Sequence, residues 1–300
     1  MHPQAASLPW SSTSPSCFVL QRTDARDAFA VCDKPRLFAF GYAGGSVNAL
    51  HGLLGDFSSY FDVIGVELPG RGLRLSAALE RDLPGLVDQL ATDVKPLCSR
   101  KSLFFGYSFG ALVAADIAHR LHMNGNCQVM GLISLSAKAP ALVVGDRTRS
   151  DLDSHELLEL LRQLGGIPDE ILRSEELVGQ ALSAVRADLE CYEQFKTEKG
   201  RCLPCAVLAF WGSQDPFIKR SDVEAWMYEP AARFRPTSRL AQIGGKHFCH
   251  LGNEAAIQDA VITWARQLGV LSDTEELSTA PPPPPRRRFV WSPVNTGAVE

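Results

Sequence analysis

No run of apolar residues in this chain approaches the roughly 20 that a membrane-spanning helix needs, so the sequence predicts no integral membrane protein. An excess of charge of either sign is also missing. The 30 lysines and arginines against 34 aspartates and glutamates leave a net charge of −4, which offers no electrostatic attraction to nucleic acid or to an anionic membrane. Cysteine is sparse: eight in 300 residues is far from the density of small disulfide scaffolds and points to a reducing, cytoplasmic compartment. Cys202-Leu203-Pro204-Cys205 has redox or zinc spacing. With no second pair, and an apolar strand directly after it, core and turn cysteines are expected there and no metal site. The first 33 residues lack the unbroken apolar core of a secretory signal. Rich in serine, they read as a flexible N-terminal extension (1–33) in preference to an organellar transit peptide.

What the chain does have is alternation. Apolar runs near Leu37–Phe40, Val63–Val66, Leu103–Phe105, Val129–Leu135, Ala206–Trp211 and Leu240–Ile243 alternate with helical patterns, which predicts an α/β domain over 34–271 with a mainly parallel sheet flanked by helices. Between about 146 and 199 the rhythm turns all-helical. Leu157, Leu158, Leu161 and Leu164 make one apolar stripe, and Leu177, Ala181, Ala184, Val185, Leu189 and Tyr192 another. A helical insertion between strands reads as a lid over a pocket, and a bulky residue at Ala184 is expected to shorten that pocket. From 272 to 300 the composition changes again. Pro281 to Pro285 and Arg286-Arg287-Arg288 predict a disordered tail, with a docking peptide as the sharper alternative.

The strongest local signal is Gly106-Tyr107-Ser108-Phe109-Gly110, set between the apolar run Leu103-Phe104-Phe105 and a small-residue helical stretch. A serine on so tight a strand-to-helix turn needs glycine two before and two after it, because the backbones approach too closely for a Cβ. A serine hydroxyl is a weak nucleophile, so the reading requires a histidine base and a carboxylate to orient it, in the chain order Ser, Asp, His. Asp215 ends the Ala206–Trp211 strand in a Gly/Pro turn, and His247 follows a glycine loop at Gly244-Gly245. Rivals remain at both positions: Asp222 and Asp188 for the acid, and His250 for the base. An anion formed at the serine would need two backbone N–H donors. Phe109 supplies one and the loop Phe40-Gly41-Tyr42-Ala43-Gly44-Gly45-Ser46 the other, at Ala43. That loop has neither the Lys-Ser/Thr of a phosphate-binding loop nor the glycine spacing of a dinucleotide fingerprint.

Taken together, these segments resemble the type II (external, editing) thioesterases of polyketide and nonribosomal peptide synthesis. Phe40 to Ser46 is similar to that family's F-P-Y-A-G-G-S loop, and Glu67-Leu68-Pro69-Gly70-Arg71-Gly72-Leu73-Arg74 to its Q-L-P-G-R-x-x-R segment. Leu164-Gly165-Gly166-Ile167-Pro168 and Arg186-Ala187-Asp188-Leu189 resemble two lid signatures. The chain departs from the family at Tyr107, Phe109, Gly41 and Lys246, and at Cys249-His250. The resemblance implies an α/β-hydrolase fold with a helical lid insertion and a Ser108–His247–Asp215 triad. It also implies hydrolysis of acyl thioesters on the phosphopantetheine arm of carrier proteins, by a monomer that uses no separate cofactor and no metal. The alternative is a medium-chain fatty-acyl-carrier thioesterase or a general carboxylesterase.

Overall fold

The computed structural model of the chain describes residues 16–22, 34–123, 125, 127–143, 150–165, 167, 169–197, 200–272 and 289–294. Eight strands form one sheet: β1 (Cys17–Arg22), β2 (Arg36–Phe40), β3 (Asp62–Val66), β4 (Ser102–Tyr107), β5 (Val129–Leu135), β6 (Ala206–Gly212), β7 (Arg239–Ile243) and β8 (Phe289–Pro293). Their order is β7-β6-β5-β4-β2-β3-β1-β8. Strands β2 to β7 pair in parallel, while β1 runs antiparallel to both β3 and β8. The six apolar runs read from the sequence are thus the six parallel strands, and β4, buried along its whole length, lies among them. This is the expected α/β fold.

The helices are α1 (His51–Gly55), α2 (Leu83–Val94), α3 (Phe109–Met123), α4 (Pro140–Val143), α5 (Ser154–Leu164), α6 (Asp169–Leu172), α7 (Glu175–Glu193), α8 (Arg220–Glu224) and α9 (Glu254–Gln267). Side chains of successive strand residues point to opposite faces, so each buried strand feeds two cores. Phe38, Phe40 and Phe104 pack with α2 and α3 on one face. Leu37, Ala39 and Phe105 pack with α1 and α9 on the other.

The domain limits need correcting at both ends. Strand β1 lies inside the stretch read as an extension and β8 inside the stretch read as a tail, yet both belong to the sheet. Each is short and finds its partner only through the fold: Cys17 pairs with Val66 and Leu20 with Trp291. The aromatic rings of β8 seat over glycines, Trp291 on Gly65 and Phe289 on Gly55, where a Cβ would intrude. The Pro281–Pro285 run and the arginines after it lie outside the described residues, as do the lid limits at 146 and 199.

Between β5 and β6 the described structure is helical. Leu157 of α5 with Leu182 and Val185 of α7 form a small core of their own. Helix α5 starts on a capping box, in which Asp153 accepts the N–H groups of His155 and Glu156 while Glu156 accepts that of Asp153. It stops at Gly165, whose φ of 75° suits glycine.

Candidate active site

Parallel strands deliver their loops to one edge, and in open α/β sheets ligands bind at the carboxyl ends. Neighbours β2 and β4 bring the 41–46 loop beside the Ser108 turn, and neighbours β6 and β7 bring Asp215 beside the His247 loop. The glycines explain the close fit. A Cβ on Gly106 would lie 2.2 Å from the Ala111 Cα, and one on Gly110 would lie 2.4 Å from the Gly41 carbonyl oxygen. Ser108 itself sits at φ 51°, a left-handed conformation that a non-glycine residue adopts at some cost and that holds its hydroxyl out at the top of β4. Its N–H donates to the Leu135 carbonyl at 2.8 Å, which ties the turn to β5.

The structure brings the three sequence-predicted side chains into one row. His247 Nε2 lies 3.2 Å from Ser108 Oγ, and His247 Nδ1 lies 2.8 Å from Asp215 Oδ2. The other carboxylate oxygen of Asp215 accepts the N–H groups of Phe217 (2.9 Å) and Ile218 (3.1 Å). The Asp215 side chain is wholly inaccessible to solvent, so the bond to His247 is formed in a dry place. Gly212 makes the approach possible, since a Cβ there would lie 2.2 Å from the Lys246 carbonyl oxygen.

The rivals lie elsewhere. His250 Nδ1 faces the Tyr107 hydroxyl at 3.2 Å, and that hydroxyl donates to the His247 carbonyl at 2.6 Å. His250 therefore braces the His247 loop from behind, through a tyrosine whose role the sequence reading missed. Burial holds the His250 imidazole below its ordinary pKa, opposed by Glu254, and burial raises the Tyr107 phenol well above its own. Asp222 is a capping group: its carboxylate accepts the Lys219 N–H at the start of α8, which begins at Arg220. Asp188 lies in α7, buried against Arg71.

The 41–46 loop, where the sequence places the second anion donor, lines the cavity beside Ser108. The Gly45 N–H donates to the Tyr42 carbonyl (2.8 Å), closing a turn centred on Ala43 and Gly44. With Gly44 at φ 73°, this is a type II turn, which needs glycine at that place. Two buried carboxylates hold the loop. Asp188 accepts the Gly44 N–H at 2.6 Å, and Glu67 accepts the Ser46 hydroxyl (2.6 Å) and the Val47 N–H (3.2 Å). Burial raises the Glu67 pKa, while these donors and the Leu73 N–H pull it back. Among the described residues the Ala43 N–H meets no protein acceptor. Ala43 and Phe109 line the same cavity as Ser108 and His247. Phe109 also opens α3, whose amino end adds a partial positive charge.

That cavity has a volume of about 690 Å³. The lid supplies much of its apolar wall through Leu157, Leu161, Leu164, Ala181 and Val185, faced by Leu112 and Ile218 from the body. Ala184 does not line it. It is buried on a neighbouring face of α7, so the steric test belongs at Ala181. Among the described residues no helix is long and apolar enough to cross a membrane.

Comparison with known proteins agrees with the fold. The chain is 31% identical over 215 residues to the linear gramicidin dehydrogenase LgrE of Brevibacillus parabrevis, covering 71% of this chain and 80% of that protein. It is 30% identical over 219 residues to a probable cadicidin biosynthesis thioesterase of Streptomyces griseus, covering 73% of this chain and 59% of that protein. Among solved structures, the RedJ thioesterase of the prodiginine pathway in Streptomyces coelicolor superposes with a TM-score of 0.66 at 29% identity, over 82% of this chain and 91% of that one. The two relatives' names differ in chemistry, and the domain match decides for this chain. The model of the thioesterase domain matches residues 35–264, a span that takes in the serine turn, the loop after β2, the acid loop and the base loop, and the chain belongs to the thioesterase domain family.

Proposed function

We propose that this enzyme hydrolyses acyl thioesters on the phosphopantetheine arm of a carrier protein, with Ser108 as nucleophile, His247 as base and Asp215 as the group that orients it. The observation that carries the reading is the hydrogen-bonded row Ser108–His247–Asp215 opening onto an apolar cavity of about 690 Å³. As Ser108 Oγ attacks the thioester carbonyl, its proton passes to His247 Nε2, and the Asp215 carboxylate stabilises the imidazolium through Nδ1–H. The carbonyl oxygen becomes an anion held by the Ala43 and Phe109 N–H groups. The C–S bond breaks, Nε2 returns the proton to the departing thiol, and a water deprotonated by His247 then cleaves the acyl-serine to give the free acid. The chemistry needs no separate cofactor. The likeness to a cadicidin biosynthesis thioesterase and to RedJ supports a role on the synthases of polyketides or nonribosomal peptides, where removal of stalled acyl units frees the carrier.

The test compares one acyl group on three leaving groups: a carrier protein, free pantetheine and an alcohol. A carrier-directed enzyme should show kcat/KM at least about tenfold higher on the carrier, since each 1.4 kcal/mol of protein contact is a factor of ten. Equal values on all three would leave a general esterase.

The cavity makes a second prediction. Ala181→Phe fills space that about three methylenes would occupy, each worth roughly 0.8 kcal/mol of burial. Decanoyl substrate should therefore lose kcat/KM by roughly 60-fold while acetyl substrate changes little. An equal fall on acetyl, hexanoyl and decanoyl substrates would show that this face of α7 does not measure chain length.

A further inference from the structure

The lid helix α7 does more than wall the cavity. Two of its residues, Val185 and Asp188, are three apart and share a helix face, and both close on the same glycine of the turn after β2. A Cβ on Gly44 would lie 2.2 Å from Val185 Cγ2, so the helix rests directly on the Gly44 backbone. Asp188 Oδ2 takes the Gly44 N–H at 2.6 Å. The same carboxylate receives the guanidinium of Arg71 as a fork, with Nη2 donating to Oδ1 at 2.9 Å and Nη1 to Oδ2. Arg71 is in turn anchored by Nε to the Pro69 carbonyl at 3.1 Å. Asp188 is buried, as is Arg71, so this junction is shielded from water and from salt.

The Gly44 N–H belongs to the central peptide of the type II turn. That peptide can face either way, since the flip of about 180° between type I and type II turns is open to a glycine. Ala43 stands between two peptides: the one before it is held inside the turn by the Gly45-to-Tyr42 bond, and the one after it only from outside, by Asp188. The first bond fixes Ala43 N–H relative to the turn. The second fixes the turn relative to the lid and to Arg71.

We propose that Asp188 is a positioning residue for the oxyanion hole: through the Gly44 N–H it fixes the turn that presents Ala43 N–H, and so makes the seating of α7 a condition for stabilising the tetrahedral intermediate. This rests on the reading of Ser108 as nucleophile and Ala43 as anion donor. An oxyanion donor acts within about 2.7–3.1 Å of the anion, so a turn loosened by a few tenths of an ångström weakens transition-state binding and leaves the acyl pocket in place.

The test pairs two ligands with the same decyl chain. An alkyl trifluoromethyl ketone adds to the serine and carries an oxyanion, whereas a decanoyl amide fills the pocket without reacting. Asp188→Asn keeps the volume but removes the charge and turns one acceptor into an NH2 donor, which must face either the Arg71 guanidinium or the Gly44 N–H. Ketone affinity and kcat should each fall at least about tenfold, with amide affinity unchanged within twofold. Equal weakening of both ligands, or of neither, would overturn the proposal and leave Asp188 a wall or a strut. Ser108→Ala is the control for the underlying reading. If it binds the ketone as tightly as wild type, the nucleophile is misassigned, a result separate from the Asp188 outcome. If Asp188→Asn does not fold, hydrogen exchange on the wild-type protein gives the answer: the decanoyl amide should raise protection of residues 41–46 and 185–189 together, and protection of the helix alone would refute the coupling.

Discussion

Ser108→Ala should lower kcat for decanoyl-pantetheine hydrolysis by about 10⁴- to 10⁶-fold, the size of effect expected when the nucleophile of a cooperating triad is removed. The argument for so large a loss is geometric. Ser108 lines the cavity at the end of the row, and His247 has its ring nitrogens directed at Ser108 Oγ and Asp215 Oδ2. Water activated by His247 would stand where the serine oxygen stood, but it would have to be held there at an entropic cost that the covalent attachment of the hydroxyl avoids. Stability should hardly change. Alanine meets the same left-handed backbone that serine already tolerates at φ 51°, and the Ser108 N–H bond to Leu135 does not involve the side chain. Circular dichroism and thermal unfolding should therefore match wild type while the rate collapses. A variant that folds and keeps even a tenth of the activity would remove Ser108 from the mechanism.

The features legible in the sequence were those whose cause is local. The Ser108 turn is one: its glycines, its apolar strand and its small-residue helix are contiguous, and each is required by backbone contacts within a few residues. Asp215 and His247 were legible because each ends a strand in a glycine-bearing turn, and the sheet order then brings β6 and β7 side by side. What the sequence could not show was set by partners remote in the chain. Strands β1 and β8 are as long as β2 and β3 but lie in stretches whose composition reads as extension and tail, and their evidence is the pairing of Leu20 with Trp291 across some 270 residues of sequence. The face of α7 was misjudged for a related reason. Ala181 and Val185 turn to the cavity, while Ala184, Ala187 and Cys191 are buried beside them. An apolar stripe wider than about 100° cannot say which half meets the ligand. In the sequence Asp188 is a rival acid inside a long helical stretch, and its bonds to Gly44 and Arg71 appear only once α7 lies over the loop.

The second large effect is expected at a glycine. In Gly106→Ala the new Cβ would lie 2.2 Å from the Ala111 Cα and 2.5 Å from its nitrogen, and both are backbone atoms at the start of α3. No rotamer change relieves a clash with backbone, so the first turn of α3 must move away from β4. That displacement disturbs a contact buried on every side, and overpacking of this kind costs about 3 kcal/mol, enough to lower Tm by roughly 6–12 °C in a domain of this size. The same displacement carries Phe109 N–H and Ser108 Oγ with it. A shift near 1 Å in the reacting groups is worth on the order of 100-fold in rate, so kcat should fall even at temperatures where the variant is folded. Gly179→Ala provides the contrast. That glycine lies inside α7 with nothing within 4 Å of its would-be Cβ, and alanine there should raise stability by roughly 0.5–1 kcal/mol through the lower entropy of the unfolded chain. Calorimetry on the two variants should move in opposite directions. If Gly106→Ala unfolds within a degree of wild type and keeps full activity, the close packing of β4 against α3 is not what holds the serine in place.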